Sequence, residues 1–458
     1  MGNISMRTQL VPILILGCLI PGIVQAAHLP APVGDSDYHY AGQPGDAKVK
    51  LGQALFFDKI LSGNRDISCA TCHHPFTVSG DGMSLPVGAG GKGLGVTRTT
   101  GSGETAIKSR VGRNAPPLFN LGAKQFVALN WQGRMMADPN NLTKLNLPSG
   151  SATPAGLDNV LAGQALFPIQ NTNEMIGANT AANEFPEAIF APGNDTAQKR
   201  QVAGWEAIMV RLRAISGYFT LWKAAYPEVT SASQMTIAQM VNGLAAFQSV
   251  AFRADNSPFD DYLRGNTDAL SPAQVRGMDL FYGGANCSSC HAGVFQTDHK
   301  FHAIAMPQFG PGVFSNGALS SEDLGRSEIE GTAAKYKFRT APLRNIVHTA
   351  PYGHTGAYNT LEGVIRHHLD PVNSFLNWDR TQVVLISRSD LDSKDFLLLS
   401  DSSKMQSIIN ANELAPSSLT DSQISDLLSF MEALTDSGSL DMRRWVPVSV
   451  PSGLPVAD

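Results

Sequence analysis

Four cysteines and two histidines fall into one repeated pattern. Cys69-Ala70-Thr71-Cys72-His73 and Cys287-Ser288-Ser289-Cys290-His291 are two copies of Cys-x-x-Cys-His. The fifth cysteine, Cys18, precedes both in an apolar segment. Two disulfides could use the same four thiols, but a disulfide scheme gives no reason for a histidine directly after each pair. Covalent haem attachment does. Two thiols on one helical turn can each add to a vinyl group, and the adjacent imidazole then lies under the iron. Zinc is the rival for these residue types, yet neither pair has a second Cys or His pair at the spacing of a zinc module. The expected cofactors are two c-type haems, one on Cys69, Cys72 and His73 and one on Cys287, Cys290 and His291.

The elements that must position these motifs repeat as well. The motifs lie 218 residues apart, and each follows an amphipathic stretch with a glycine and then a Leu-Phe-aromatic run. Leu51-Gly52-Gln53-Ala54-Leu55-Phe56-Phe57 precedes the first; Arg276-Gly277-Met278-Asp279-Leu280-Phe281-Tyr282 precedes the second. Between them Trp205, Ile208, Leu212, Ile215 and Phe219 recur at helical spacing, as do Ile237, Met240, Val241 and Leu244, and both stripes read as core. Thr420-Asp421-Ser422-Gln423 forms a capping box ahead of the stripe Ile424, Leu427, Leu428 and Met431, a closing helix. Residues 87–112 and 138–156, rich in small and polar residues, read as long loops. No strand pattern dominates. The predicted fold is mainly α, with two cytochrome c-like domains that each carry one covalently bound haem. The boundaries read from the sequence are a signal peptide at 1–26, an N-terminal domain at 27–255, a C-terminal domain at 256–436 and a tail at 437–458.

At 458 residues the chain has room for two or three domains. Its formal net charge is −5, one unit lower without Arg7, which argues against a nucleic-acid binder and fits a basic redox partner. Arg7, the apolar run Leu10 to Ile20 and the small-residue site Val24-Gln25-Ala26 read as an export signal to the periplasm. The run is too short to span a membrane comfortably, and no later segment does better. Ile15-Leu16-Gly17-Cys18 also resembles a lipoprotein box, which leaves anchoring through Cys18 as the second reading.

Beyond the haem motifs, several segments resemble bacterial di-haem cytochrome c peroxidases and their MauG-type relatives. They are Arg113-Asn114-Ala115-Pro116, Trp131-Gln132-Gly133-Arg134, Asn173-Glu174-Met175 and Ser257-Pro258-Phe259-Asp260, followed by Phe338-Arg339-Thr340-Ala341-Pro342-Leu343-Arg344-Asn345 and Thr349-Ala350-Pro351-Tyr352-Gly353-His354. They keep the family's order and span residues 50–435. The resemblance implies that the N-terminal haem is peroxidatic and that the C-terminal haem receives and passes on electrons. It also implies a calcium ion between the domains, on the Asn114 side chain and the carbonyls of Thr349 and Pro351, hard oxygen ligands that suit calcium. A homodimer is implied too, though no interface signal is read in the sequence.

In the same register Glu174 matches the family's catalytic carboxylate; a carboxylate in a poorly solvated pocket can carry a raised pKa and shuttle a proton. Trp131 matches the tryptophan between the haems, a role compatible with being a buried core aromatic. Arg339 matches an arginine near the haem pair, and Arg134 reads as a structural partner of a propionate or carboxylate. Two departures stand out. Many relatives carry a histidine shortly before Asn-Ala-Pro that blocks the peroxidatic iron. Here Ala106 stands at that place, and no histidine occurs between His74 and His291. The expectation is an N-terminal haem open to peroxide without reductive activation. The distal ligand of the electron-transfer haem, Met or Tyr in relatives, falls on His368. Leu361, Val364, Ile365 and His368 share one helical stripe, and His367 points roughly 100° away. A His/His haem lacks the potential-raising thioether of a Met/His haem.

Three functions follow. The leading one is a periplasmic peroxidase that reduces hydrogen peroxide with electrons from a small cytochrome c or cupredoxin. A MauG-like enzyme that uses peroxide to oxidise a protein or other substrate is favoured by the missing blocking histidine and disfavoured by the absence of Tyr at 368. A non-catalytic electron-transfer cytochrome would need both irons fully ligated.

Overall fold

Two helix pairs, built alike, carry the repeat. In the computed structural model, which describes residues 29–138, 140–146, 151–313 and 322–457, the principal helices are α1 (Asp46–Phe57), α2 (Ala197–Arg213), α3 (Ser216–Ala225), α4 (Ile237–Ala251), α5 (Pro272–Tyr282), α6 (Leu361–Leu369) and α7 (Asp421–Ala433). The expected leader, its expected cleavage site and Cys18 lie outside the described residues. α1 packs on α4 through Gly52, where a Cβ would lie 1.9 Å from the Gly243 carbonyl oxygen. α5 packs on α7 through Gly277, where a Cβ would lie 1.9 Å from the Asp426 oxygen. Only glycine lets helix backbones approach this closely. One turn on, Phe56 meets Phe247 at 5.1 Å and Phe281 meets Phe430 at 5.3 Å between ring centroids. The Gly and Leu-Phe-aromatic signature thus encodes a helix crossing made twice.

Helix starts follow the local chemistry. Thr236 with Gln239, Ser271 with Gln274, and Thr420 with Gln423 form capping boxes at the N-termini of α4, α5 and α7, and Pro272 adds a fixed φ at the first position of α5. The stripe from Trp205 to Phe219 is not one helix. α2 ends at Arg213, Ile215 is extended, and α3 begins at Ser216, whose predecessor supplies no side-chain cap. Trp205, Ile208 and Leu212 are buried, while Ile215 and Phe219 are half-buried beyond the break. Residues 138–156 are not wholly loop either. β1 (Ala128–Leu129), β2 (Met135–Asp138) and β3 (Asn141–Asn146) form an antiparallel sheet in that order, with an irregularity between Ala137 and Asp138. Polar composition hid β3, whose backbone pairing needs no apolar alternation. A second, two-stranded ribbon pairs β4 (Phe301–His302) with β5 (Phe338–Arg339), Phe301 opposite Arg339. The architecture is mainly helical with few strands.

The core divides into clusters. The largest gathers α1 to α4 with Phe252 and Phe295. A second gathers Phe259, Met278, Phe281, Leu427 and Phe430 around α5 and α7. Residues 440–456 cross back onto the first cluster, which buries Met442 and Val450 and takes Trp445 and Val446 at its edge. Ser452 donates to Asp58, which also accepts from Tyr218. Buried ion pairs tie distant segments together, Arg110 to Asp395 and Arg113 to Asp323. No helix among the described residues is long and apolar enough to cross a membrane.

Candidate haem sites and the seam between them

Both Cys-x-x-Cys-His motifs adopt one tight helical turn. Cys69–Cys72 is a single α turn capped by Ser68 and Thr71, and Cys287–Ser289 a 3-10 turn entered through Asn286 in the left-handed region. All four cysteines are half-buried free thiols. His73 donates from Nδ1 to the Ser79 carbonyl at 2.9 Å, and His291 from Nδ1 to the Gln296 carbonyl at 3.1 Å. Fixing Nδ1 on a carbonyl sets the tautomer and presents Nε2 as the ligand atom. A turn with two thiols and an oriented imidazole is what covalent haem requires. The zinc alternative fares worse. Among the described residues the one His/Cys/Asp/Glu group close enough to share a metal is Cys290, Asp298 and His302, and Cys287 is not part of it.

Helix α6 brings His368 to the second motif. The His291 and His368 rings have centroids 6.1 Å apart, tilted by 57°. Two metal–nitrogen bonds of about 2 Å plus the half-widths of two imidazoles require roughly 6 Å. His368 donates from Nδ1 to the Val364 carbonyl at 2.7 Å, again leaving Nε2 for a ligand role. Its neighbour differs. His367 is fully buried, with Nδ1 3.0 Å from Tyr358 Oη and Nε2 2.8 Å from the Ile304 carbonyl, so both nitrogens are engaged. The helical stripe did not foresee that His367 would be the more buried of the two. Hydrogen bonding, not burial, separates them.

On the first side, Glu174 lies in the π-helical turn Thr172–Ile176, which the Asn171 side chain caps by accepting from the Asn173 and Glu174 amides. The Asn171 amide donates to Glu174 Oε1 at 2.7 Å. The 87–112 loop packs on this turn: Ala89 N–H donates to the Glu174 carbonyl, and a Cβ on Gly88 would sit 1.8 Å from the Asn173 oxygen. Burial pushes the Glu174 carboxyl up to about 7, against the opposing pull of Arg134 and Arg113. The Gly63 N–H donates to the Met175 carbonyl at 2.9 Å, which ties this turn to the segment that leads into the first motif. The residue Glu174 as a whole is half-buried. Arg134 stands over the Phe167 ring at 4.5 Å. Ala106 is half-buried in a loop that carries no imidazole.

Trp131 joins the two halves. Its indole Nε1 donates to the Asn114 carbonyl at 2.9 Å, and its own carbonyl accepts from Arg339 N at 2.7 Å. Asn114 N–H donates to the His354 carbonyl, bringing Asn114 beside the 349–354 segment. The Asn114 side-chain amide donates to the Met83 carbonyl at 2.9 Å, which leaves Oδ1 as the atom able to meet a cation. Thr349 and Pro351 flank Ala350, the latter across a cis peptide bond. The sequence reading missed His299, which packs on the same Phe126 ring as Arg339 and has no motif to mark it.

The profile of the di-haem cytochrome c peroxidase family matches residues 46–268. The chain is 29% identical over 327 residues to the methylamine utilization protein MauG of Methylorubrum extorquens, covering 70% of this chain and 68% of that protein. It is 28% identical over 339 residues to the cytochrome c551 peroxidase of Pseudomonas aeruginosa, covering 72% and 75%. Among solved structures, the diheme peroxidase BthA of Burkholderia thailandensis superposes with a TM-score of 0.56 at 20% identity, 93% of each chain covered. A MauG-like protein associated with microbial copper homeostasis superposes at 0.54 and 24% identity, with 93% of this chain and 98% of that one covered. At these identities the two structures speak for the fold alone.

Proposed function

From the match of residues 46–268 to the di-haem cytochrome c peroxidase profile and the likeness to MauG and cytochrome c551 peroxidase, we propose that this chain is an oxidoreductase of that family, a periplasmic enzyme reducing hydrogen peroxide to water, with electrons passed from a small cytochrome c or cupredoxin through the C-terminal haem to the N-terminal one. The family implies two haem c groups, and the two cytochrome c-like domains would each hold one. His73 and His291 would be the proximal ligands, with His368 the distal ligand of the second haem. The haems supply the iron at which peroxide is reduced and the store of electrons that reduces it.

The 6.1 Å approach of His291 and His368 carries this reading. It supports a second haem that would be held by both imidazoles, while no histidine occurs between His74 and His291 to hold the first in the same way. Glu174 would take the proton from the peroxide oxygen bound first and return it to the leaving oxygen, a task for a carboxyl titrating near neutrality. Arg134 and Arg113 keep its charged form accessible. Trp131, hydrogen-bonded at both ends, would hold an indole in the electron path, and Arg339 would fix the backbone at its far side. Calcium on Asn114 Oδ1 and the carbonyls of Thr349 and Pro351 would clasp the seam.

The test is stopped-flow mixing of the half-reduced and fully oxidised holoprotein with peroxide and reduced cytochrome c. Rapid steady-state oxidation of the donor from the fully oxidised enzyme, with no activation lag, is expected. Peroxide consumption without donor turnover would transfer the chain to the MauG-like reading, and binding of cyanide to neither haem would make it an electron carrier.

A further inference from the structure

Arg339 is a half-buried guanidinium that pairs with no carboxylate among the described residues. The buried Arg110, Arg113, Arg326 and Arg344 by contrast hold Asp395, Asp323, Glu330 and Asp260. Arg339 has only the Asn130 carbonyl at 3.5 Å from Nε and the Thr340 carbonyl at 3.4 Å from Nη1, both at the limit of hydrogen bonding. Its guanidinium carbon lies 5.8 Å from the Phe126 ring centre. His299 packs edge-on to the same ring, 4.9 Å away and at 88°. Both His299 ring nitrogens are buried without a partner, and its backbone holds φ at 57°. A histidine in the left-handed region is strained, and an orphan buried imidazole is costly.

The pair is fastened to the second motif. Asp298 N–H donates to the Cys290 carbonyl at 2.8 Å, Thr297 Oγ1 to the Thr340 carbonyl at 2.7 Å, and Thr340 N–H to the Lys300 carbonyl at 2.9 Å. Burial and the Arg339 charge keep His299 neutral, down at about 4, with Asp298 the opposing group. A cation that lacks its anion, beside an imidazole that lacks an acceptor, fits a ligand with two charged oxygens.

We propose that Arg339 and His299 together bind a carboxylate of the group attached at Cys287 and Cys290, a propionate of the second haem, and so anchor that haem on the Trp131 side of the seam. This rests on the reading that the second motif holds haem. The holoprotein and its Arg339→Gln, Arg339→Lys and His299→Asn variants are compared by haem count, by the propionate-bending band in resonance Raman spectra, and by the midpoint potential of each haem. Arg339→Gln is expected to move the band and to lower the second haem's potential by the equivalent of about tenfold in its one-electron equilibrium, about 59 mV. Arg339→Lys restores most of the potential, and His299→Asn moves the band with a smaller change in potential. Should Arg339→Gln fail to load haem, the other two variants carry the same readouts. An unmoved band, or a shift confined to the first haem, overturns the proposal. So does a band that follows added chloride or phosphate, since the pocket then belongs to a solution anion. Finding one haem in the wild type instead defeats the reading beneath it, and the count reports that separately.

Discussion

Glu174 and His368 owe the tasks proposed for them to their surroundings. Burial lifts the Glu174 carboxyl from its usual value to about 7, so it is protonated below that pH and charged above it. If the charged form takes the peroxide proton, kcat/KM should rise as pH increases through about 7. Glu174→Gln should lose roughly 10²–10⁴-fold and flatten that inflection. An unchanged inflection in the variant would assign the titration to another group. The same shift bears on stability. A carboxyl raised in the folded state contributes most at low pH, and that contribution falls as pH climbs through 7, so Glu174→Gln should be the more alkali-tolerant protein. At His368, substitution by Met should raise the second haem's potential by part of the ~0.8 V that axial ligands span. His367→Gln should leave the axial-ligand EPR signature intact and cost about 1–3 kcal/mol, because it unpairs a buried bond to Tyr358 or Ile304.

Between residue and fold stand the helix crossings. Gly52→Ala and Gly277→Ala each force a methyl to 1.9 Å from a carbonyl oxygen, which backbone must yield to accommodate. Each should cost about 1–3 kcal/mol by thermal unfolding, with neither haem's ligand spectrum altered below the transition. The crossings also explain what could be read without coordinates. Glycine followed four residues later by Phe signals a close approach whichever domain it occupies, and Cys-x-x-Cys-His declares its own chemistry. The Thr420–Gln423 capping box was legible because Thr and Gln act within four residues. The helix break at Ala214 was not, since Ile215 preserves the apolar period while its backbone turns extended. β3 escaped because its residues are polar and its partner is local. His299 escaped for a deeper reason: its meaning lies in Arg339 and Phe126, both far away in sequence.

At the scale of the molecule, long-range buried charge and the returning segment hold the halves in register. Arg110 is 1% exposed and Asp395 4%, so Arg110→Ala would strand a buried carboxylate and should cost about 3–5 kcal/mol in urea unfolding, with little response to salt. Met442→Ala should cost about 2–5 kcal/mol, and hydrogen exchange should show the loss in α1 and α4 while α5 and α7 stay protected. Equal loss of protection in both pairs would mean that the two clusters unfold as one. The returning segment also sets an order of events. Ser452 reaches Asp58 across 394 residues, a stretch the ribosome needs roughly 20–80 s to synthesise. During that interval α1 and the first thiol pair already exist, but the final pieces of their surroundings do not. Ser452 can therefore close onto Asp58 only once the whole intervening chain has been made.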